Sequence, residues 1–90
     1  MTSYSVRLLK GATRDLERLD NSTGRHITHR ISWLSQNMDS VRPVALKGEL
    51  AGLYKLREGD YRIIYQVLTK EKIIIIHGIG HRKEIYKKMK

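Results

Sequence analysis

The segment 54–65 constrains the fold of this chain more than any other. It contains two runs with strand-like alternation, separated by Gly59-Asp60, a pair typical of a tight β-turn. We therefore predict a β-hairpin in which Arg57 and Arg62 lie directly opposite each other. Because alternate residues of a strand share a face, Lys55 lies on that same face.

The three cations of this hairpin face favour an anionic ligand. Like charges that lie directly opposite each other destabilise a sheet, so an Arg57–Arg62 pair costs folding stability. Binding of an anion, with phosphate as the candidate, explains such a patch better than folding does. The alternative is an ordinary polar outer face of the sheet.

Composition predicts a small, basic, intracellular protein. The chain has 90 residues, so we expect one domain spanning 1–90. It has no cysteine, and its longest apolar run, 73–76, is far too short to cross a membrane. The net charge of +9 favours polyanionic partners. We expect a cytoplasmic protein without membrane contact.

The pattern along the chain predicts an α+β fold with the order β-α-α-β-β-β. In the second helix Ile27, Ile31, Leu34 and Met38 form one apolar stripe, and Asn21 or Ser22 is the expected N-cap. Two N-terminal helices then pack on one face of a small antiparallel sheet. The expected strands are 4–9, 53–58, 61–68 and 72–79, with a loop or irregular strand at 44–52 and a strongly basic tail at 81–90 that could form a short helix.

The hairpin also predicts which face of the sheet the helices cover. Leu56 and Tyr65 have the parity of the covered face, whereas Lys55, Arg57 and Arg62 point to the open side and to solvent. The open side of the sheet is therefore predicted to be cationic.

The segment Gly78–Tyr86 is the second candidate for function. Its two glycines let the chain turn sharply out of the last strand, which would place His81 and Arg82 at the sheet edge near the cationic face. A histidine has an unperturbed pKa of about 6.5, which suits a general acid or base. Tyr86 could stack on an unpaired base or pack on the sheet. A solvated basic tail is the alternative for the whole segment.

No metal or cofactor is predicted. His26 and His29 are three residues apart, but no carboxylate or cysteine joins them at ligand spacing.

These segments resemble the RelE-type toxins of toxin–antitoxin pairs, within the RelE/ParE superfamily. The resemblance covers essentially the whole chain and is most specific in Gly59–Tyr65 and Gly80–Tyr86, with support from Arg42-Pro43, Leu46–Gly48 and Tyr54–Arg57. It implies a metal-independent endoribonuclease that cleaves mRNA in the ribosomal A site. In that reaction the 2′-hydroxyl attacks the neighbouring phosphorus and the 5′-oxygen leaves.

The resemblance also implies roles for individual residues. Basic residues of the central hairpin and an arginine near the last strand carry the chemistry of such toxins, and a C-terminal tyrosine stacks on the substrate base. By position these residues are Lys55, Arg57, Arg62, Arg82 and Tyr86. We assign Lys55 as the base, the arginines as phosphate ligands and His81 as the acid.

The expected partners follow from this resemblance. They are an acidic, RelB-like antitoxin, the mRNA, and the ribosomal RNA that lines the A site, with no contact to DNA by the toxin itself. Two alternatives remain: a ParE-like inhibitor of DNA gyrase on the same fold, and a non-catalytic basic module that binds RNA or protein.

Overall fold

A computed structural model describes residues 3–89 of the chain. Five strands form one sheet with the order β1-β5-β4-β3-β2, and three helices flank it. In chain order the elements are β1 (Ser5–Leu8), α1 (Lys10–Glu17), α2 (Asn21–Gln36), β2 (Val44–Ala45), a 3-10 turn (Gly48–Leu50), β3 (Tyr54–Glu58), β4 (Tyr61–Leu68), β5 (Ile73–His81) and α3 (Ile85–Lys88). None of the helices within residues 3–89 is long and apolar enough to span a membrane.

The predicted α+β architecture is confirmed, but the prediction of a purely antiparallel sheet is wrong. β1 pairs in parallel with β5, from Ser5 opposite Ile73 to Leu8 opposite Ile76. A strand that enters the sheet after a long connection is free to run parallel, whereas a tight hairpin forces antiparallel pairing. The segment predicted as irregular contributes a short edge strand, in which Val44 lies opposite Lys55.

The hairpin has the predicted register. Arg57 lies opposite Arg62, and Lys55 lies opposite Ile64. The turn is made by Gly59, whose φ of 59° is a left-handed conformation that a glycine adopts without steric cost. The turn chemistry and the strand alternation therefore fix the same register.

The two N-terminal helices build the core with one face of the sheet. Ile27, Ile31 and Leu34 of α2 are buried against Ile63 and Tyr65 of β4, as the apolar stripe predicts. α1 contributes Ala12 to the same cluster.

The N-cap of α2 differs from the prediction. The cap is Asp20, whose side chain accepts a hydrogen bond from the Thr23 backbone N–H at 3.2 Å, whereas Asn21 lies in the first helical turn. A carboxylate at this position also interacts favourably with the helix dipole. Hydrogen bonding from the Thr23 side chain, together with that from its backbone N–H, holds the pKa of Asp20 below its usual value.

An irregularity between β4 and β5 changes which residues of β5 face the core. Ile64 pairs with Gly78 but the next residue, Tyr65, pairs with Ile76, so His77 is the extra residue of a β-bulge. As a result Ile79 joins the core, although His77 and Ile79 have the same parity in the sequence.

The bulge places His77 beside Gln66, and we predict a pH-dependent stability from this contact. The His77 Nε2 lies 3.0 Å from Gln66 Oε1, and burial lowers the pKa of His77. Below about pH 6.5 the unfolded chain therefore binds a proton that the folded chain does not, and stability falls as pH falls. We expect the urea midpoint to drop between about pH 7.5 and about pH 5.5 and His77→Gln to flatten that drop.

The exposed His26 provides the control for this prediction. His26→Gln should keep the wild-type pH dependence of the urea midpoint. An unchanged slope in His77→Gln would contradict the role given to His77.

A buried carboxylate joins α1, β5 and α3. Asp15 is 5% exposed, its Oδ2 accepts the Ile79 N–H at 3.0 Å, and its Oδ1 pairs with the Lys88 ammonium. β1 ends at Leu8, so it does not reach this N–H, and Asp15 replaces the missing strand partner. The C-terminal helix is thereby tied to the sheet.

Candidate functional site

Two rows of residues cross the uncovered part of the sheet. One row runs Arg57–Arg62–Gly80, and the neighbouring row runs Lys55–Ile64–Gly78. Residues that are directly paired across strands share a face, and so do residues two apart along a strand. Lys55, Arg57 and Arg62 therefore lie on one face, opposite the core residues Leu56 and Ile63, and we call this surface the cationic face.

The glycine ends of both rows are covered by α3. A Cβ atom built on Gly80 would lie 3.1 Å from the Ile85 Cδ1, and one built on Gly78 would lie 2.7 Å from the Met89 Sδ. The absence of side chains at these positions lets Ile85 pack directly on β5. This packing buries Ile64, which is fully inaccessible to solvent although it belongs to the cationic face.

Arg62 does not point freely to solvent, so that prediction is wrong. The residue is only 9% exposed, and its Nη1 donates hydrogen bonds to the Gly59 carbonyl at 3.1 Å and to the Tyr61 carbonyl at 2.9 Å. The turn thus fixes the guanidinium. Within residues 3–89 no carboxylate pairs with it, and its Nε and Nη2 make no hydrogen bond. Those groups are free to donate to a ligand.

Lys55 and Arg57 stand next to Arg62 and are more open. Arg57 is exposed and Lys55 half-buried, and in the described part of the chain neither side chain has a carboxylate partner. Burying or crowding charges without partners costs free energy. Among the described residues, none of the three cations therefore belongs to a structural ion-pair network.

The end of β5 brings Arg82 to the hairpin turn. The Arg82 N–H donates to the Asp60 carbonyl at 2.8 Å, and its Nε lies 3.8 Å from Asp60 Oδ1. Both side chains of this ion pair are more than half exposed, so the interaction is weak and easily exchanged for another anion.

His81 pairs with Tyr61 and therefore lies on the core side of the sheet, opposite Arg62, so the prediction that His81 lies near the cationic face is wrong. Its Nδ1 accepts the Lys83 N–H at 3.2 Å, and its ring meets that of Tyr61 edge to face with centroids 5.8 Å apart. Since Nδ1 is an acceptor, Nε2 carries the proton in the neutral ring. Tyr86 is half-buried in the first turn of α3, next to the packed Ile85.

The structure thus brings the predicted hairpin residues together and ties Arg82 to the same turn. Among the described residues, no hydrogen bond joins Tyr86 to Lys55, Arg57 or Arg62, so the role of Tyr86 stays a prediction. In the described residues 3–89, no group of three or more His, Asp or Glu side chains is arranged to hold a metal ion.

Arg30 is a residue of this site that the sequence analysis missed. Its Nε donates to the Arg57 carbonyl at 3.2 Å and lies 3.8 Å from Glu58 Oε1. Arg30 borders the apolar stripe of α2, next to Ile31, and a long side chain at such a border reaches the neighbouring sheet. The place of Arg30 at the border of the apolar stripe was the sequence signal that could have predicted its contact with β3.

Comparison with known proteins shows the family to which a chain with this fold belongs. The family model of the ParE toxin of type II toxin–antitoxin systems matches residues 6–86. The chain is 31% identical to toxin RelG of Mycobacterium tuberculosis over an 87-residue alignment, and the match covers 94% of this chain and 98% of that protein. The chain therefore belongs to the ParE toxin family, within the RelE/ParE superfamily, and the resemblance to RelE-type toxins is confirmed.

Solved structures agree with this assignment. A chain of the toxin–antitoxin complex RelBE2 from Mycobacterium tuberculosis superposes with a TM-score of 0.82 at 30% identity, covering 91% of this chain and 94% of that one. A chain of the archaeal RelE–RelB complex from Pyrococcus horikoshii gives a TM-score of 0.71 at 29% identity, covering 90% of this chain and 97% of that one.

Proposed function

We propose that this toxin is a ribosome-dependent endoribonuclease that cleaves mRNA in the A site. The observation that supports this most is Arg62, a nearly buried guanidinium fixed by two turn carbonyls and free of any carboxylate in residues 3–89. Next to Arg57, it offers preorganised donors where negative charge builds up on a phosphate in the transition state.

The remaining cationic residues have roles in the same reaction. Lys55 takes the proton of the 2′-hydroxyl, whose oxygen attacks the adjacent phosphorus. Arg57, Arg62 and Arg82 stabilise the charge on the phosphorane. The 5′-oxygen leaves with a proton, and the products are a cyclic phosphate and a 5′-hydroxyl end. No metal ion has a part in these steps.

Tyr86 completes the proposed site. His81 pairs with Tyr61 on the face opposite Arg62, so the leaving 5′-oxygen takes its proton from water at the cationic face rather than from His81. Tyr86 stacks on the base next to the cleaved bond.

We further propose that an acidic, RelB-like antitoxin is the partner that inhibits the toxin. Both relatives with solved structures described above are complexes with a partner antitoxin. The net charge of +9 favours an acidic partner over the cationic face, and it makes the contacts to mRNA and ribosomal RNA sensitive to salt.

A cell-free translation reaction tests the proposed activity. We expect the protein to cut translated mRNA at codon-phased positions, which primer extension maps, and to leave untranslated mRNA intact. The family model bears the name of the ParE toxins, so a gyrase inhibitor is the second candidate. Intact mRNA together with blocked supercoiling by purified gyrase would support that candidate and contradict ours. Intact mRNA together with normal supercoiling would contradict both activities and favour the third interpretation, a non-catalytic binding module.

A further inference from the structure

A side chain of α2 holds the free edge of β3. β2 pairs with β3 only as far as Lys55, so the edge beyond Lys55 has no strand neighbour in the described part of the chain. If the register continued, the residue two before Val44 would lie opposite Arg57, but β2 begins at Val44. The Arg30 Nε instead donates a hydrogen bond to the Arg57 carbonyl at 3.2 Å. A guanidinium thus takes the place of a strand partner at one arginine of the cationic face.

The direction of this carbonyl shows how Arg57 pairs with Arg62. In an antiparallel ladder, opposite residues either exchange both backbone hydrogen bonds with each other or make neither. Because the Arg57 carbonyl points to Arg30, Arg57 and Arg62 form a pair of the second kind, in which the side chains approach more closely. The carbonyl of Arg57 is therefore held by α2 and not by β4.

Arg30 is itself held in place. The carbon at the centre of its guanidinium lies 4.4 Å from the centroid of the Trp33 ring, and this cation–π contact is attractive. The Arg30 Nε also lies 3.8 Å from Glu58 Oε1, but these side chains are 32% and 34% exposed, so the ion pair contributes little. The hydrogen bond to the Arg57 carbonyl is therefore the specific contact between Arg30 and the sheet.

The guanidinium of Arg57 has no comparable support of its own. Arg57 is exposed, and no carboxylate in residues 3–89 pairs with it. Arg62, by contrast, is fixed by the turn carbonyls. The distance between the two guanidinium groups therefore depends on where the backbone of β3 holds Arg57. A misplacement of about 1 Å in an active site can lower a rate by about 10²-fold.

We propose that Arg30 is a positioning residue of this toxin. Its hydrogen bond to the Arg57 carbonyl holds β3 so that the Arg57 guanidinium meets the same phosphate as Arg62 does. Arg30 acts through the backbone of β3 and does not contact the RNA in this role. The inference rests on the proposed nuclease activity and adds a residue of α2 to a site that is otherwise built on the sheet and its C-terminal extension.

Two uncharged variants separate the hydrogen bond of Arg30 from its charge. Glutamine places an amide N–H close to the position of the arginine Nε, whereas methionine places a methyl group there, and both lower the net charge by the same amount. We expect Arg30→Met to slow single-turnover cleavage on programmed ribosomes by roughly 2- to 12-fold, the range for one hydrogen bond. Arg30→Gln should cleave at close to the wild-type rate. Affinity for the ribosome, which depends on charge, should change equally in both variants.

The Arg57→Met background shows whether Arg30 acts through Arg57. Without the Arg57 guanidinium Arg30 has nothing to position, so Arg30→Met/Arg57→Met should cleave as slowly as Arg57→Met alone. A purely structural role would slow both backgrounds by the same factor. Glu58→Gln removes the ion pair but keeps the hydrogen bond to Arg57, so it is the control that should keep the wild-type rate.

Wild-type cleavage by Arg30→Met would overturn the inference. An equal loss in Arg30→Met and Arg30→Gln would do the same, since it assigns the effect to charge. A loss of the same factor in the Arg57→Met background would also overturn it, because Arg30 would then act independently of Arg57.

A binding measurement separates this inference from the proposed nuclease activity. The probe is a fluorescent trinucleotide with 2′-O-methyl groups, which cannot be cleaved, and its anisotropy reports binding to the full-length toxin. Arg30→Met should bind it more weakly than Arg30→Gln, and this difference should vanish in the Arg57→Met background. If the wild type leaves mRNA intact but the difference is found, the positioning role stands and the nuclease fails. If the wild type cuts mRNA but the two variants bind and cleave alike, the nuclease stands and the positioning role fails.

Discussion

Replacing Arg62 by methionine should abolish most mRNA cleavage without unfolding the protein. Methionine keeps much of the volume of the arginine but removes the donors that we place on the phosphate. Loss of one preorganised donor to a developing negative charge lowers rates by about 10²–10³-fold. The free energy of unfolding should stay close to the wild-type value or rise. The reason is that an apolar side chain replaces a nearly buried charge that has no carboxylate partner in residues 3–89.

Arg7→Met is the matched control for this variant. Arg7 is an exposed arginine on β1, a strand of the same sheet, and lies opposite Ile75. Single-turnover cleavage of mRNA on programmed ribosomes should be nearly normal in Arg7→Met and nearly absent in Arg62→Met. Equal cleavage rates for the two variants would remove Arg62 from the site.

Replacing Asp15 by alanine should produce the largest loss of stability. The change leaves the Ile79 N–H without its partner and frees Lys88 of α3 from its ion pair. Loss of a buried, charge-assisted acceptor costs about 3 kcal/mol. For a chain of this size the thermal midpoint would then fall by roughly 12–24 °C.

Two further variants show where that loss comes from. Asp39→Ala removes an exposed carboxylate and should leave the thermal midpoint unchanged. Lys88→Ala should cost much less than Asp15→Ala, because the Lys88 side chain is 43% exposed and the Ile79 hydrogen bond survives. If Lys88→Ala were as damaging as Asp15→Ala, the ion pair rather than the backbone hydrogen bond would dominate.

The hairpin could be predicted from sequence because two local signals agree there. Gly59 supplies the conformation that the turn needs, and the alternation on either side requires the register that places Arg57 opposite Arg62. The apolar stripe of α2 was predictable for a similar reason, since periodicity reports burial directly.

Features that depend on tertiary contacts could not be predicted. The bulge at His77 reverses the faces of the residues that follow it in β5, and no local signal marks an extra residue in an apolar run. The parallel pairing of β1 with β5 depends on the position at which the chain re-enters the sheet after the two helices. Asp20 and Asn21 are both good N-caps, and only the backbone geometry shows that Asp20 is used.

In the candidate site, too, some features could be predicted from the sequence and others could not. Residue types and parity predicted the three cations of the cationic face, but the inward fold of Arg62 onto the Gly59 and Tyr61 carbonyls follows from the turn conformation. The open edge of β3 at Arg57 exists because β2 is only two residues long, and only the three-dimensional structure shows it.

The most direct test of the central claim is the cleavage rate of the double variant Arg57→Met/Arg62→Met on ribosomes programmed with a defined mRNA. If both guanidinium groups neutralise the same phosphate, the double variant leaves the mRNA intact while still folding, and its loss of activity is smaller than the product of the two single losses. Codon-phased cleavage by the double variant at the wild-type rate would contradict the account.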